Sequence, residues 1–173
     1  MLARENGAEL NVVLTGFMGT GKSAVGRHLA SRLNLRFVDT DALIAARHGS
    51  IPEIFAIAGE AGFRRLERSV AIEVARSEGQ VIATGGRMLL DRRNANALAA
   101  NGRVLCLAAP ARVIVARVLA QGIAGRPLLD AVDPAARVRA LLAERAAGYG
   151  RFEQIPSGSG SPAAVAARIL ARL

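Results

Sequence analysis

Short apolar runs alternate with longer amphipathic stretches along the chain. The runs with strand character are Asn11–Thr15, Arg36–Asp39, Val81–Thr84, Val104–Ala108 and Phe152–Pro156. Helical periodicity follows near residues 22–33, 41–47, 51–77, 91–101, 110–120, 134–149 and 162–172. Because strands that alternate with helices are joined by βαβ crossovers, this pattern predicts an α/β fold whose parallel sheet is covered by helices on both faces.

Two stretches depart from the regular alternation. Residues 49–70 add extra helix between the second and third strands, and residues 121–132 form a glycine-punctuated loop that contains an arginine. Insertions of this kind commonly become a substrate lobe and a mobile lid. We therefore expect one domain over residues 1–173, with a substrate-binding lobe at about 41–70 and a lid at about 121–132.

Charge and composition restrict the partners of this domain. The net charge is +9, but the 23 basic residues are scattered and only 3% of residues are aromatic. The chain therefore lacks the basic runs and stacking platforms of a nucleic-acid-binding protein, and its charge suits a small anionic substrate instead. No apolar run approaches the roughly 18 residues that span a membrane. We expect a monomer that binds neither nucleic acid nor membrane.

The single cysteine, Cys106, lies in an apolar run. One cysteine cannot form an internal disulfide, and with only two histidines the chain cannot build a Cys/His metal cluster. We expect Cys106 to be buried in a strand, as free cysteines commonly are. The N-terminus shows no apolar signal-peptide core, so we expect a cytoplasmic protein.

Residues 16–23, GFMGTGKS, fit the phosphate-binding pattern G-x-x-x-x-G-K-[ST] at every fixed position, between an apolar strand and a helix. Its glycines let main-chain N–H groups wrap around phosphate, and the helix adds its positive N-terminal end. Lys22 is the one lysine of the chain, a compact charge able to reach the β- and γ-phosphates of ATP where the planar fork of arginine fits poorly. The predicted nucleotide contacts are Gly19, Thr20, Gly21, Lys22, Ser23 and Ala24, with the Ser23 hydroxyl also on Mg²⁺.

Two carboxylates follow the second strand, in the sequence FVDTD. Ligands of parallel α/β sheets bind beyond the carboxyl ends of strands, and residues two apart on an extended segment share a face. One of Asp39 and Asp41 can therefore hold a metal while the other orients a hydroxyl or accepts its proton. The alternative is a helix N-cap at Asp39 or Thr40. The phosphate-binding pattern of residues 16–23, called a P-loop, occurs in motor proteins, GTPases and small-molecule kinases. The chain lacks the N/TKxD guanine signature, which weakens the GTPase interpretation.

The segments GFMGTGKSAVGRHLA, FVDTDALI, IPEIFAIAGEAGFRRLE, VIATGG and GRPLL occur in the order and spacing of the shikimate kinase family. The chain resembles that family over about residues 10–172. The resemblance implies a three-layer α/β/α P-loop kinase with a five-stranded parallel sheet of order 2-3-1-4-5. It also implies transfer of the γ-phosphoryl group of ATP to the 3-hydroxyl of shikimate, with Mg²⁺.

The same resemblance assigns roles to individual residues. Asp39 and Ser23 belong to the Mg²⁺ shell, Asp41 to the substrate hydroxyls, and Arg64 and Arg145 to the substrate carboxylate. The remaining assignments are Arg126 as a lid arginine on the transferring phosphate, Gly85 and Gly86 next to the substrate, Pro162 near adenine, Glu67 as an orienting group, and Tyr149 as part of the Arg145 motif. Two guanidiniums on one carboxylate form an anion-selective site, which independently favours an acidic substrate.

Three features depart from the family pattern. The third glycine of its Gly-Gly-Gly is Arg87, which we expect to point into solvent, although it could also crowd the cleft, strain the backbone or donate to phosphate. Arg117 lies nine positions before Arg126, a long interval that leaves its place at adenine open. The region of the fifth strand, FEQIPSG, does not match the sequence that is usual for the family there.

Two other functions remain open at this point. Arg87 motivates a related kinase of another hydroxy acid or cyclitol, such as gluconate. A non-catalytic ligand-binding module is the second alternative. The intact Lys22, Ser23, Asp39 and Asp41 speak against this module, as do the roughly ten residues before the first strand, too few for a helix-turn-helix.

Overall fold

The computed structural model describes residues 10–122, Leu129 and residues 132–173. Its strands are β1 (Asn11–Thr15), β2 (Arg36–Asp39), β3 (Gln80–Ala83), β4 (Gly102–Ala108) and β5 (Glu153–Pro156). They form one sheet of order β2-β3-β1-β4-β5, in which every neighbouring pair is parallel. The fold class and the strand order expected from the sequence are confirmed.

The described helices connect these strands and mostly begin at side-chain caps. They are α1 (Lys22–Leu33), α2 (Thr40–His48), α3 (Ile51–Ala75), α4 (Arg92–Ala99), α5 (Ala111–Ala120), α6 (Pro134–Tyr149) and α7 (Pro162–Leu170), with a 3₁₀ turn at Met88–Leu90. The predicted cap and proline pairs begin α6 and α7. Ser50 begins α3 with a capping box, in which its hydroxyl and the Glu53 carboxylate bond each other's backbone N–H.

Helices cover both faces of the sheet because successive strand residues point to opposite sides. Val13 packs with the side chains of α2, α3 and α4, whereas Val12 and Leu14 pack with those of α1 and α7. A third cluster of buried side chains under α5 and α6 includes Cys106, which is buried in β4 as expected. In the described part of the chain, no helix is long and apolar enough to cross a membrane.

Three local features differ from the sequence-based expectation. The helix expected over residues 51–77 is broken inside α3 at Gly59, whose φ of 65° and ψ of −176° are not helical. The 3₁₀ turn at Met88–Leu90 was not expected, because a single turn is too short to show a hydrophobic period. Strand β4 begins at Gly102, two residues before the expected start at Val104, and Gly102 pairs with Asn11 of β1. The expected lid at 121–132 lies largely outside the described residues.

Candidate active site

A cleft of about 720 Å³ opens at the carboxyl ends of β1, β2 and β3, between the loop after β1 and helix α3. Parallel strands end at the same edge of a sheet, so residues far apart in sequence meet there. The residues expected at the site that line this cleft are Gly19, Gly21, Lys22, Ser23, Ala24, Asp39, Asp41, Arg64, Gly86 and Arg145. The cleft therefore contains the phosphate loop, both aspartates and both guanidiniums.

Other expected site residues lie behind or beside the cleft lining. Thr20 is buried, and its hydroxyl donates to the Phe17 carbonyl at 2.7 Å, so its side chain supports the loop from within. The N–H of Gly85 donates to the Thr40 hydroxyl at 2.9 Å instead of facing the cleft. Pro162 is exposed at the first position of α7. Arg126 lies outside the described residues.

The phosphate loop presents main-chain donors and one cation to the cleft. Helix α1 begins after Gly21, which has a φ of 92° and offers no side-chain cap, whereas Asp or Ser side chains cap α2, α3, α4, α6 and α7. The first-turn N–H groups of α1 are therefore left to an anion. The Lys22 ammonium donates to the carbonyls of Gly16 and Phe17 at 2.8 and 3.0 Å, which holds it across the loop.

Asp39 combines the two roles that its sequence position left open. Its Oδ1 accepts the N–H groups of Asp41 and Ala42 at 3.2 and 3.3 Å and so caps α2. Its Oδ2 accepts the Ser23 hydroxyl at 2.5 Å. Because Mg²⁺ prefers hard oxygen ligands and retains several waters, this hydroxyl–carboxylate pair beside the phosphate loop fits that ion. No cluster of three His, Cys, Asp or Glu side chains that could hold a metal occurs within the described ranges.

A second pair of carboxylates, Asp41 and Glu67, meets at Gly85. A Cβ on Gly85 would lie 2.5 Å from Oδ1 of Asp41 and 2.8 Å from Oε1 of Glu67. Among the described residues, these two oxygens are buried without a hydrogen-bond partner. Burial raises the pKa of both carboxyls, whereas Lys22 lowers that of Asp41 and Arg64 lowers that of Glu67. A carboxylate in the lining of the cleft, as that of Asp41 is, can orient a substrate hydroxyl and take its proton.

Replacement of Gly85 by Ala is expected to reduce the free energy of unfolding by about 1–3 kcal/mol, because the added methyl group overlaps two carboxylate oxygens. Gly86→Ala is the matched control, since its Cβ would meet the nearest atoms at 3.6 and 3.7 Å. Urea denaturation of both variants measures the difference. Equal losses of stability in the two variants would contradict the prediction, because they would show that the close contacts at Gly85 do not exclude a methyl group.

Arg64 and Arg145 add positive charge to the lining of the cleft, beside that of Lys22. Arg64 donates through Nη1 to Glu67 at 2.6 Å and through Nε and Nη2 to Glu60 at 3.2 and 2.9 Å. Arg145, on α6, is only 4% exposed and lies over the Phe17 ring at 5.6 Å. Its Nε is buried without a hydrogen-bond partner among the described residues. Such a cationic pair suits a carboxylate ligand.

The expectation that Arg87 points into solvent holds in part, because the residue is exposed but also lines the cleft. Its φ of −111° and ψ of −10° are ordinary for any residue, so the backbone strain considered above does not arise. The side chain does not simply extend into solvent, because Nη1 contacts Oε1 of Glu60 at 2.6 Å. Sequence reasoning missed Glu60, although its position four residues before Arg64 is the spacing of an ion pair on a helix. The Tyr149 hydroxyl donates to the Gly86 carbonyl and so supports the same loop.

Arg117 joins the phosphate loop to the segment after β5. Its Nη1 donates to the carbonyls of Gly19 and Ser157 at 3.3 and 3.0 Å. The placement of Pro162 near adenine stays a prediction, and whether Arg117 lies there stays open.

A parallel α/β sheet with a phosphate-loop sequence, and with aspartates and arginines in the lining of the same cleft, is typical of a P-loop small-molecule kinase. The family model described as shikimate kinase matches residues 18–173. The chain belongs to the shikimate kinase family. The sequence-based predictions of the family, the fold and an ATP-dependent kinase are thereby confirmed.

Individual relatives agree with this assignment. The shikimate kinase of Symbiobacterium thermophilum is 47% identical over 147 residues, 84% of each chain, and that of Halorhodospira halophila is 48% identical over 135 residues, 78% of this chain and 75% of the relative. The structure of the shikimate kinase from Acinetobacter baumannii in complex with shikimate superposes with a TM-score of 0.88 at 35% identity, covering 94% of this chain and 91% of that one. A gluconokinase from Sinorhizobium meliloti is 17% identical with a TM-score of 0.59, a likeness that shows the fold alone.

Proposed function

We propose that the chain transfers the γ-phosphoryl group of ATP to the 3-hydroxyl of shikimate, giving shikimate 3-phosphate and ADP. The observation that carries this proposal is that Asp41 lines one cleft together with Lys22 of the phosphate loop and with the guanidiniums of Arg64 and Arg145, which we call the acceptor end. Lys22 of the phosphate loop and Arg64 of the acceptor end are both near enough to lower the pKa of its carboxyl, against the raising effect of burial. A substrate hydroxyl held at Asp41 would therefore lie near the phosphates of ATP. The carboxylate of the same substrate would contact the arginines.

The phosphate loop and Asp41 supply the chemistry of the transfer. Lys22 and the first-turn N–H groups of α1 would hold the β- and γ-phosphates and stabilise charge on their oxygens. Asp41 would orient the acceptor hydroxyl and accept its proton as the new O–P bond forms and the bond to ADP breaks.

Ser23 and Asp39 would hold Mg²⁺, which neutralises charge on phosphate oxygens when bound. Arg64 and Arg145 would hold the acceptor carboxylate, with Gly86 beside it. Glu67 would orient Arg64 through the 2.6 Å ion pair. The roles of Arg126, Pro162 and the lid at 121–132 remain expectations of the family resemblance, as does the lobe at 41–70.

A cytoplasmic monomer is the setting that we propose for this activity. The single cysteine, Cys106, is buried and can form no internal disulfide, which suits a reducing compartment. Light scattering coupled to gel filtration measures the mass in solution, and a dimer would contradict the monomer.

A coupled ADP-release assay tests the proposed reaction, with shikimate, gluconate and the methyl ester of shikimate as acceptors. Shikimate should be turned over at about 1–100 s⁻¹, the usual range for kinases. Gluconate should give only background, and the uncharged ester should react poorly because it lacks the carboxylate. Phosphorus NMR should show one phosphomonoester product. Turnover of gluconate without turnover of shikimate would favour the alternative kinase. If none of the acids leads to ADP release, the ligand-binding module would be favoured.

A further inference from the structure

Glu60 bonds two arginines at the acceptor end of the cleft. Its Oε1 accepts Nε and Nη2 of Arg64 at 3.2 and 2.9 Å and Nη1 of Arg87 at 2.6 Å. Glu60 lies on α3 directly after the break at Gly59, whereas Arg87 lies in the loop after β3. The contact thus links two different walls of the cleft.

The edge of Arg64 that Glu60 occupies is one that carboxylates bind. The Nε and Nη2 donors of a guanidinium point the same way and bind carboxylates in a bidentate manner. With Glu67 on Nη1, both carboxylates around Arg64 come from the protein itself. An acceptor carboxylate that uses the Nε–Nη2 edge must therefore displace Glu60.

We propose that Glu60 competes with the acceptor carboxylate for Arg64, and that Arg87 weakens this competition by retaining Glu60 when the acceptor binds. Arg87 is then a positioning residue that acts through Glu60. The inference rests on the proposed function, because it takes the acceptor to be a carboxylate held by Arg64.

The surroundings of Glu60, Arg64 and Arg87 would allow Glu60 to give way to the acceptor carboxylate. The side chains of Glu60 and Arg87 are 39% and 42% exposed, so they can rearrange without losing much hydration. Open space surrounds Gly59, since nothing lies within 4 Å of the position its Cβ would take. Arg64, and to a smaller extent Arg87, lower the pKa of Glu60, so it stays ionised near neutral pH.

A double-mutant cycle tests the proposal through KM for shikimate. Arg87→Gln should raise this KM about three- to fivefold, the scale of a partly exposed ion pair, and leave kcat and KM for ATP unchanged. Glu60→Gln should lower KM for shikimate, and adding Arg87→Gln to it should have no further effect. Arg87→Lys should restore part of the wild-type KM. Arg65→Gln is the matched control, because Arg65 is an exposed arginine on α3, the helix of Glu60 and Arg64, and does not line the cleft.

Two results would overturn the proposal. If Arg87→Gln raises KM for shikimate equally in the wild-type and Glu60→Gln backgrounds, Arg87 contacts the acceptor directly. If Glu60→Gln raises KM, Glu60 orients Arg64 and does not compete. Thermal unfolding confirms that each variant is folded, and calorimetric titration with shikimate gives a second measure of the same cycle. A wild-type protein that does not turn over shikimate would refute the proposed function itself, whereas wild-type turnover with an additive cycle would refute only this inference.

Discussion

Replacement of Asp41 by Asn is expected to lower kcat by about 10²- to 10⁴-fold while KM for ATP stays within about twofold. Asn keeps the shape of the side chain but cannot accept a proton, and the Oδ1 of Asp41 has no other hydrogen-bond partner among the described residues. The role proposed for Asp41 concerns the acceptor hydroxyl and not the nucleotide. Steady-state kinetics with each substrate varied in turn separates the two constants.

Asp91→Asn is the control for this experiment. Asp91 caps α4 and bonds Arg68, but it does not line the cleft, so its loss should change stability more than turnover. Similar losses of turnover and of ATP affinity in Asp41→Asn would contradict the assigned role, because they would indicate that Asp41 holds the nucleotide.

Replacement of Arg145 by Gln is expected to raise KM for shikimate about 10- to 100-fold, with a much smaller effect on KM for ATP. A hydrogen bond to a charged group contributes about 1.5–3 kcal/mol, and each 1.4 kcal/mol is tenfold in affinity. Arg145 is buried at the acceptor end, and its Nε has no partner among the described residues. The proposed acceptor carboxylate would bond the part of the guanidinium that lines the cleft. Kinetics with shikimate and ATP, together with calorimetric affinities, measure the effect.

Arg139→Gln is the matched control, because Arg139 is exposed on the same helix and outside the cleft lining. Urea denaturation of both variants separates lost binding from lost stability, since Arg145 also stacks on Phe17. A parallel rise of KM for ATP in Arg145→Gln would place this guanidinium at the nucleotide and contradict its assignment to the acceptor.

Local sequence signals were sufficient for the sheet and the phosphate end of the cleft. The apolar runs place β1 and β2 at their observed bounds, and the pattern from Gly16 to Ser23 places the loop and the start of α1. These features depend on residues close together in sequence, where periodicity and glycine spacing are informative. The strand order came from the family resemblance, because periodicity does not specify which strands pair.

Features that depend on tertiary contacts were harder to predict. The two interpretations of Asp39, helix cap and metal ligand, both apply because its two oxygens face different partners. The contact of Arg87 with Glu60 joins residues 27 positions apart across the cleft. Sequence periodicity does not indicate contacts between residues so far apart. The sequence analysis therefore predicted that the Arg87 side chain points into solvent. The break at Gly59 is likewise hidden in a stretch whose apolar pattern is helical on both sides.

The account depends most on a cleft in which a phosphate tail and an acidic acceptor meet from opposite ends. A crystal structure of the protein with ADP and shikimate tests this arrangement directly. We expect the carboxylate of shikimate within hydrogen-bond distance of Arg64 and Arg145, its 3-hydroxyl at Asp41, and the ADP phosphates on the loop around Lys22. A shikimate carboxylate bound elsewhere, with the two guanidiniums turned away from the ring, would contradict the account.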